Sequence, residues 1–263
     1  EVPPALAHDT AGTIREARRL WAALDRPNVM IKVPATKAGM PAISALIGEG
    51  ININVTLIFS LNAYREVMDS YISGIKALAG KGLRADTVAS VASFFVSRVD
   101  TAVDALLEMQ KDATSATLSG TAAVANARAA YALFQERFAE SDFMELVSAG
   151  ARVQRPLWAS TSTKNPSYSD TLYVDNLIGP DTVNTMPPET LAAVLDHGVS
   201  SNALVKSRDD GSAALMALSE AGIDMDDVTS KLLSDGVNAF AESFDGALLS
   251  IQTKCVELAA TGT

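Results

Sequence analysis

Apolar residues recur along the chain in two periods, one helical and one of strict alternation. Ala11, Ile14, Ala17, Trp21 and Leu24 fall at helical spacing, with Arg15, Glu16, Arg18 and Arg19 on the polar faces. Asp9 or Thr10 is placed to cap that helix, and Arg26-Pro27-Asn28 ends it. Val29-Met30-Ile31-Lys32-Val33 then reads as a strand stopped by Pro34. Its Val29, Ile31 and Val33 share one face, and Met30 and Lys32 share the other. Pro41 suits the first turn of a second helix, which Gly48-Glu49-Gly50 ends. Residues 51–59 alternate cleanly, with Asn52, Asn54 and Thr56 on one face and Ile53, Val55 and Leu57 on the other. Further helices are expected at 61–79, 97–110 and 121–140. The last of these carries a stripe of Val124, Ala127, Tyr131, Phe134 and Phe138, expected to be core. Strands are expected at 87–96, 154–160 and 182–186, with a turn-rich loop at 161–170. Pro187-Pro188-Glu189 opens another helix, and residues 207–260 read as helices with Gly222 and Gly236 near their ends. Glu1-Val2 reads as the end of one more strand.

Strands that alternate with long helices predict an α/β fold with a parallel sheet under helical cover, here as one domain over residues 1–263. No long linker, low-complexity tract or fixed-period repeat divides the chain. A covered parallel strand should be apolar throughout, and Lys32 breaks that rule at the carboxyl end of its strand. Open α/β sheets and barrels place their chemistry at that end. Desolvation disfavours a charged amine, and an amine that sheds its proton can attack a carbonyl carbon. A lysine stem that packs while its ammonium reaches water fits the stretch equally well. By the same logic the face of Asn52, Asn54 and Thr56 must point at a ligand, at cavity water or at other polar groups.

Composition narrows the field. With 21 basic and 31 acidic side chains among 263 residues, the net charge of −10 argues against a nucleic-acid binder. A few basic groups in a cleft remain compatible with phosphorylated substrates. The single Cys255 cannot form an internal disulfide, and no apolar run is long enough to span a membrane. No signal peptide is visible, although the chain opens without a methionine. A dinucleotide fingerprint and a nucleophile-elbow serine are both missing, and residues 74–82 have the wrong glycine spacing for a phosphate loop. His8 and His197 are far apart and lack cysteine neighbours, which leaves a zinc site or a serine–histidine triad without support. A lysine, carboxylates, amides and hydroxyls at strand ends remain. That set suits imine chemistry on a sugar carbonyl.

Residues 29–36 (Val29-Met30-Ile31-Lys32-Val33-Pro34-Ala35-Thr36), 49–60 (Glu49-Gly50-Ile51-Asn52-Ile53-Asn54-Val55-Thr56-Leu57-Ile58-Phe59-Ser60) and Ser93-Phe94-Phe95-Val96-Ser97-Arg98 resemble the transaldolase family. The resemblance continues through Leu157-Trp158-Ala159-Ser160-Thr161 and Asn184-Thr185-Met186-Pro187 and covers essentially the whole chain. From Leu172 onward it is greatest to bacterial and plastid members. It implies a (β/α)₈ TIM barrel with the Schiff-base lysine, here Lys32, on strand four. Glu1 then falls on the catalytic glutamate that ends strand three. Strands one and two, and the strand-one aspartate of the family, have no counterpart in this sequence. Five full strands and a stub do not close a barrel, so the expectation is a fragment or a chain whose upstream residues lie outside this sequence.

The resemblance implies transfer of a dihydroxyacetone unit from sedoheptulose 7-phosphate or fructose 6-phosphate to glyceraldehyde 3-phosphate or erythrose 4-phosphate, without a cofactor or metal. The implied partners are sugar phosphates alone, with neither nucleic acid nor membrane. The implied protein is soluble, a monomer or homodimer of the cytoplasm or plastid stroma. Among its residues, Lys32 is the nucleophile, and Glu1 and Thr56 hold a proton-shuttling water. Asn54 and Ser93 bind hydroxyls, and Arg98 binds phosphate. Ser160 and Lys164 follow strand seven, where barrels often bind phosphate. One branch of the family has an arginine where Ser162 stands, and Lys164 is the candidate substitute. Phe95 occupies the position of a tyrosine in the small fructose 6-phosphate aldolases. Lacking a hydroxyl proton to give, it favours transfer over simple cleavage. The competing readings are an aldolase of the same superfamily and a non-catalytic fragment or interaction module.

Overall fold

A computed structural model of the chain describes residues 1–110, 113–206 and 210–261. Its helices are α1 (Thr10–Leu24), α2 (Gly39–Ile47), α3 (Leu61–Gly80), α4 (Ser97–Gln110), α5 (Ala113–Leu118), α6 (Ala122–Phe138), α7 (Ser141–Ser148), α8 (Leu172–Asn176), α9 (Pro188–His197), α10 (Ala203–Lys206), α11 (Ser212–Glu220) and α12 (Met225–Thr261). The strands are β1 (Ile31–Pro34), β2 (Ile53–Ile58), β3 (Ser90–Phe95), β4 (Arg155–Ala159) and β5 (Val183–Asn184). All four neighbouring pairs are parallel, and the strands follow one another in chain order. Among the described residues no pairing joins β5 to β1, so the sheet is open. Beside the free edge of β1, Val2 N–H donates to Lys32 O at 3.1 Å. Glu1-Val2 therefore runs along the sheet, as its strand-like sequence suggests, but with a single bond and without forming a strand.

The apolar faces of α1, α2, α3 and α6 close on the sheet. Asp9 caps α1 by accepting from Gly12 N–H at 2.9 Å, and Ser60 caps α3 by accepting from Ala63 N–H at 3.0 Å. Ile43, Leu46 and Ile47 of α2 meet Val67, Tyr71, Ile75 and Leu78 of α3 in the core. Burial of each such aliphatic side chain contributes about 1.5–3 kcal/mol. Gly74 belongs to this contact and to no loop: a Cβ there would lie 2.6 Å from Ile47 Cβ. The aromatic stripe of α6 is also core, with the tilted rings of Phe134 and Phe138 5.2 Å apart between centroids.

Several elements differ from the expectation. Gly236 lies inside α12 rather than near a helix end, because the helix uses the bare glycine to approach β2. Gly222 does end α11, in a left-handed conformation with Ile223 N–H donating to Leu218 O. The last strand shrinks to Val183–Asn184. The short helices α5, α7 and α8 span eight residues or fewer and carry too few turns for periodicity to register. Residues 207–209, at the start of the expected C-terminal helices, lie outside the described residues.

Candidate active site

The first shared layer comes from strand register. Lys32 pairs with Asn54 and Pro34 pairs with Thr56, so four side chains of β1 and β2 stand on one face at the carboxyl ends of their strands. Lys32 Nζ lies 3.9 Å from Glu1 Oε2, with the two side chains 32% and 31% exposed. Both line a cavity of about 20 Å³ together with Pro34, Thr56, Leu57, Val237 and Phe240. Thr56 is 3% exposed, and among the described residues its hydroxyl makes no hydrogen bond. The strand is distorted at this point. Val55 pairs with Ala92 and Ile58 with Phe94, so β2 carries one extra residue, and Leu57 takes a φ of 59°. A left-handed leucine is strained by sterics and persists only where its surroundings hold it, a condition concentrated at functional sites.

One strand further on, Ser93 donates to Asn54 Oδ1 at 2.7 Å. Phe95 ends β3, packed against Phe59 with ring centroids 5.2 Å apart. The Arg98 guanidinium sits over the Phe95 ring, its Cζ 5.4 Å from the centroid. Arg98 is the second residue of α4, and among the described residues it forms no ion pair. A half-buried guanidinium held by a ring and not by a carboxylate is available to an anion.

The remaining candidates lie further round the sheet. Ser160 follows β4 with a φ of 58°, and its hydroxyl is 2.9 Å from that of Ser97. Ser160 O also accepts from Ser97 N–H, which ties the end of β4 to the start of α4. Lys164 is not brought to Lys32. It donates to Ser162 Oγ at 2.7 Å and borders a separate 210 Å³ pocket with Asp100, Asp104, Glu108 and Tyr168.

That second pocket is acidic and internally bonded. Asp100 accepts from Ala123 N–H at 2.7 Å and from the Tyr173 hydroxyl at 2.8 Å. Asp104 accepts from Gly120 N–H and from the Tyr168 hydroxyl. Burial pushes the Asp100 carboxyl up to about 6, and both tyrosines are driven up, first by burial. These carboxylates hold the start of α6 against α4. Elsewhere His197, in the last turn of α9, sits between Asp170 and Asp196 on the surface, bonds that raise its pKa. Among the described residues no group of three or more His, Cys, Asp or Glu side chains is arranged to hold a metal ion, and no helix is long and apolar enough to cross a membrane.

Residues 1–251 match the family model described as Transaldolase/Fructose-6-phosphate aldolase.

The chain belongs to the transaldolase/fructose-6-phosphate aldolase family.

Within this family, the chain is 52% identical over 250 residues to a transaldolase of Mycobacterium bovis (strain BCG / Pasteur 1173P2), covering 94% of this chain and 67% of the relative. It is 51% identical to the transaldolase of Mycolicibacterium smegmatis over 253 residues, covering 96% and 68%. The match to the Mycobacterium ulcerans transaldolase is also 51%, over 261 residues and 70% of that protein. The chain thus spans about two thirds of the length of these relatives.

Some neighbours of Lys32 gave no warning in the sequence. Phe240 places its ring centroid 5.4 Å from Lys32 Nζ, yet it is one apolar residue among many in α12. Leu57 reads as an ordinary strand residue, because a left-handed conformation is signalled only when glycine or asparagine adopts it. Asn52 meets the last of the three expected targets of its face, other polar groups. It precedes β2 and faces no site: its amide donates to Pro27 O and Val29 O, and its Oδ1 accepts from Ala89 N–H.

Proposed function

We propose that the chain performs the transaldolase reaction through a Schiff base at Lys32. The assignment as a transaldolase, an enzyme of the pentose phosphate pathway, rests on the family match and on relatives of that name at 51–52% identity. The five parallel strands in chain order are read as strands four to eight of a (β/α)₈ barrel, with the site at the carboxyl ends where such barrels work. The observation that carries the reading is the joint lining of one cavity by Lys32, Glu1 and the unpartnered Thr56 hydroxyl.

Neutral Lys32 attacks C2 of a ketose phosphate, sedoheptulose 7-phosphate or fructose 6-phosphate. The carbinolamine loses water to give an iminium ion. The C4 hydroxyl then gives its proton to water, the C3–C4 bond breaks, its electron pair flows into the iminium, and an aldose phosphate leaves. The enamine left on Lys32 adds its carbon to the aldehyde of glyceraldehyde 3-phosphate or erythrose 4-phosphate. Water then releases the new ketose. A cavity of about 20 Å³ has room for roughly one water, and Glu1 with Thr56 supplies the acceptor and donor to hold it during imine formation and release. Asn54 and Ser93, already bonded to each other, bind hydroxyls of the retained three-carbon unit. Arg98 binds the substrate phosphate. The iminium is itself the electron sink, so no metal or organic cofactor enters the chemistry. Ser160 stands near enough to Ser97 to serve the same end of the site as Arg98. Lys164, directed toward the acidic pocket, has weaker support as a phosphate ligand.

Aldolase activity is the runner-up, because the family name covers both reactions. Phe95 favours transfer: with no hydroxyl proton to donate, it leaves the enamine waiting for an aldehyde. The test is a donor–acceptor assay with fructose 6-phosphate and erythrose 4-phosphate, run against free dihydroxyacetone as donor. Transfer from the ketose phosphate should dominate, and Phe95→Tyr should raise addition of free dihydroxyacetone. A chain that uses only free dihydroxyacetone would be an aldolase.

A further inference from the structure

The reading of Lys32 as the Schiff-base residue raises a question of access. The cavity beside its amine holds about 20 Å³, room for roughly one water. Pockets for small organic ligands run to about 300–1,000 Å³. A ketose phosphate that reaches both Lys32 and Arg98 therefore needs something to move. Pro34 and Thr56 are fixed by parallel pairing, and Leu57 by the bulge of β2. The remaining cover is shared by the opening segment, through Val2, Pro4 and Ala7, and by α12, whose Phe240 ring lies 5.4 Å from Lys32 Nζ and whose Val237 lines the same cavity. One turn earlier, a Cβ on Gly236 would lie 3.0 Å from Leu57 Cδ2 and 3.7 Å from Arg98 Nη1. Positions 236 and 240 share a helix face, so a single face of α12 covers both the amine and the arginine. Beyond Phe240 the side chains of Leu248, Leu249 and Ile251 are more than half exposed.

We infer that Phe240 is a further positioning residue of this site, an apolar cover that withdraws with α12 to admit substrate and returns to keep water from the covalent intermediate. The competing loss is simple to write. Protonation of the enamine carbon gives back the iminium, one water adds to the iminium carbon, and the amine leaves. The products are free dihydroxyacetone and regenerated Lys32, at the expense of one water. A ring over the nitrogen slows that addition while the intermediate waits for an aldehyde.

The experiment follows fructose 6-phosphate with and without erythrose 4-phosphate, measuring free dihydroxyacetone against sedoheptulose 7-phosphate. Phe240→Ala should raise the ratio of release to transfer by about tenfold, which corresponds to about 1.4 kcal/mol in relative barriers. Phe240→Gln, which keeps side-chain length and admits water, should behave likewise. Phe240→Leu should restore the ratio to within about threefold of the unsubstituted chain, a rescue that a general loosening would not give. Borohydride labelling of Lys32 is run in parallel. An unchanged ratio in both Phe240→Ala and Phe240→Gln, with Lys32 still labelled, would overturn the inference. No label on Lys32 in the unsubstituted chain would overturn the Schiff-base reading and the inference with it.

Discussion

The two ends of the sheet treat the same residue types in opposite ways. At the amino ends of the strands, Asn52 bonds to Pro27 O, Val29 O and Ala89 N–H, Ser90 donates to Ile53 O, and Gln154 donates to Ser90. Gln154 Oε1 is the one unpaired side-chain atom in that group. At the carboxyl ends, Thr56 buries an unpartnered hydroxyl, Leu57 and Ser160 hold left-handed backbones, and Arg98 faces an aromatic ring in place of a carboxylate. The amino edge is satisfied and closes the fold, with Asp181, two residues before β5, holding a left-handed φ of 58° in a residue type that tolerates it. The carboxyl edge holds strained leucine and serine backbones and an unpaired hydroxyl, for which a bound substrate supplies partners on the proposed reading. Asn52 and Asn54 are two residues apart in sequence and belong to different edges.

Four changes would sharpen or break this contrast. Lys32→Met should cut transfer by about 10⁴-fold or more, since no other group supplies the nucleophile, with little change in unfolding temperature because the side chain is a third exposed. Unfolding of this variant would place Lys32 with the structural edge. Asn52→Ala should do the reverse. Three backbone groups lose their partner, so chemical denaturation should show a loss of about 3 kcal/mol, with kcat per folded molecule unchanged.

Arg98→Ala should raise KM for a phosphorylated donor by about 30-fold, in line with a charge-assisted bond, and leave imine formation with free dihydroxyacetone, read by borohydride trapping, unaltered. The smallest effect concerns Asp100, away from both edges. Its folded pKa of about 6 stands above the unfolded value of 3.8, so the stability it contributes is full below the unfolded value and is lost as pH rises through the folded one. Relative to Asp100→Asn, the unsubstituted chain should weaken by about 2 kcal/mol between pH 4 and pH 7 in urea melts. A flat difference would mean that its bonds to Ala123 and Tyr173 outweigh the cost of burial.

Much of the site was legible because strand alternation is a strong constraint. Asn54 and Thr56 fall on one face by counting alone, and the register of β1 with β2 brings Lys32 onto it. Counting could not separate Asn52 from them. The same period places it on that face, and only the start of β2 at Ile53 moves it to the lower edge. The contributions of α12 lie outside local reading altogether. Gly236 resembles a helix stop, and its contact with Leu57 depends on a helix packing more than 170 residues downstream of the strand. Lys164 shows the opposite failure. Its position after β4 suggests phosphate binding, yet the loop turns it toward carboxylates.

The claim on which the rest depends is that Lys32 bonds covalently to a ketose. Incubation with fructose 6-phosphate and borohydride, followed by peptide mass spectrometry, tests it directly. A reduced three-carbon adduct confined to Lys32, and lost in Lys32→Met, is the expected result. An unmodified Lys32 in a folded chain incubated with that donor would contradict it.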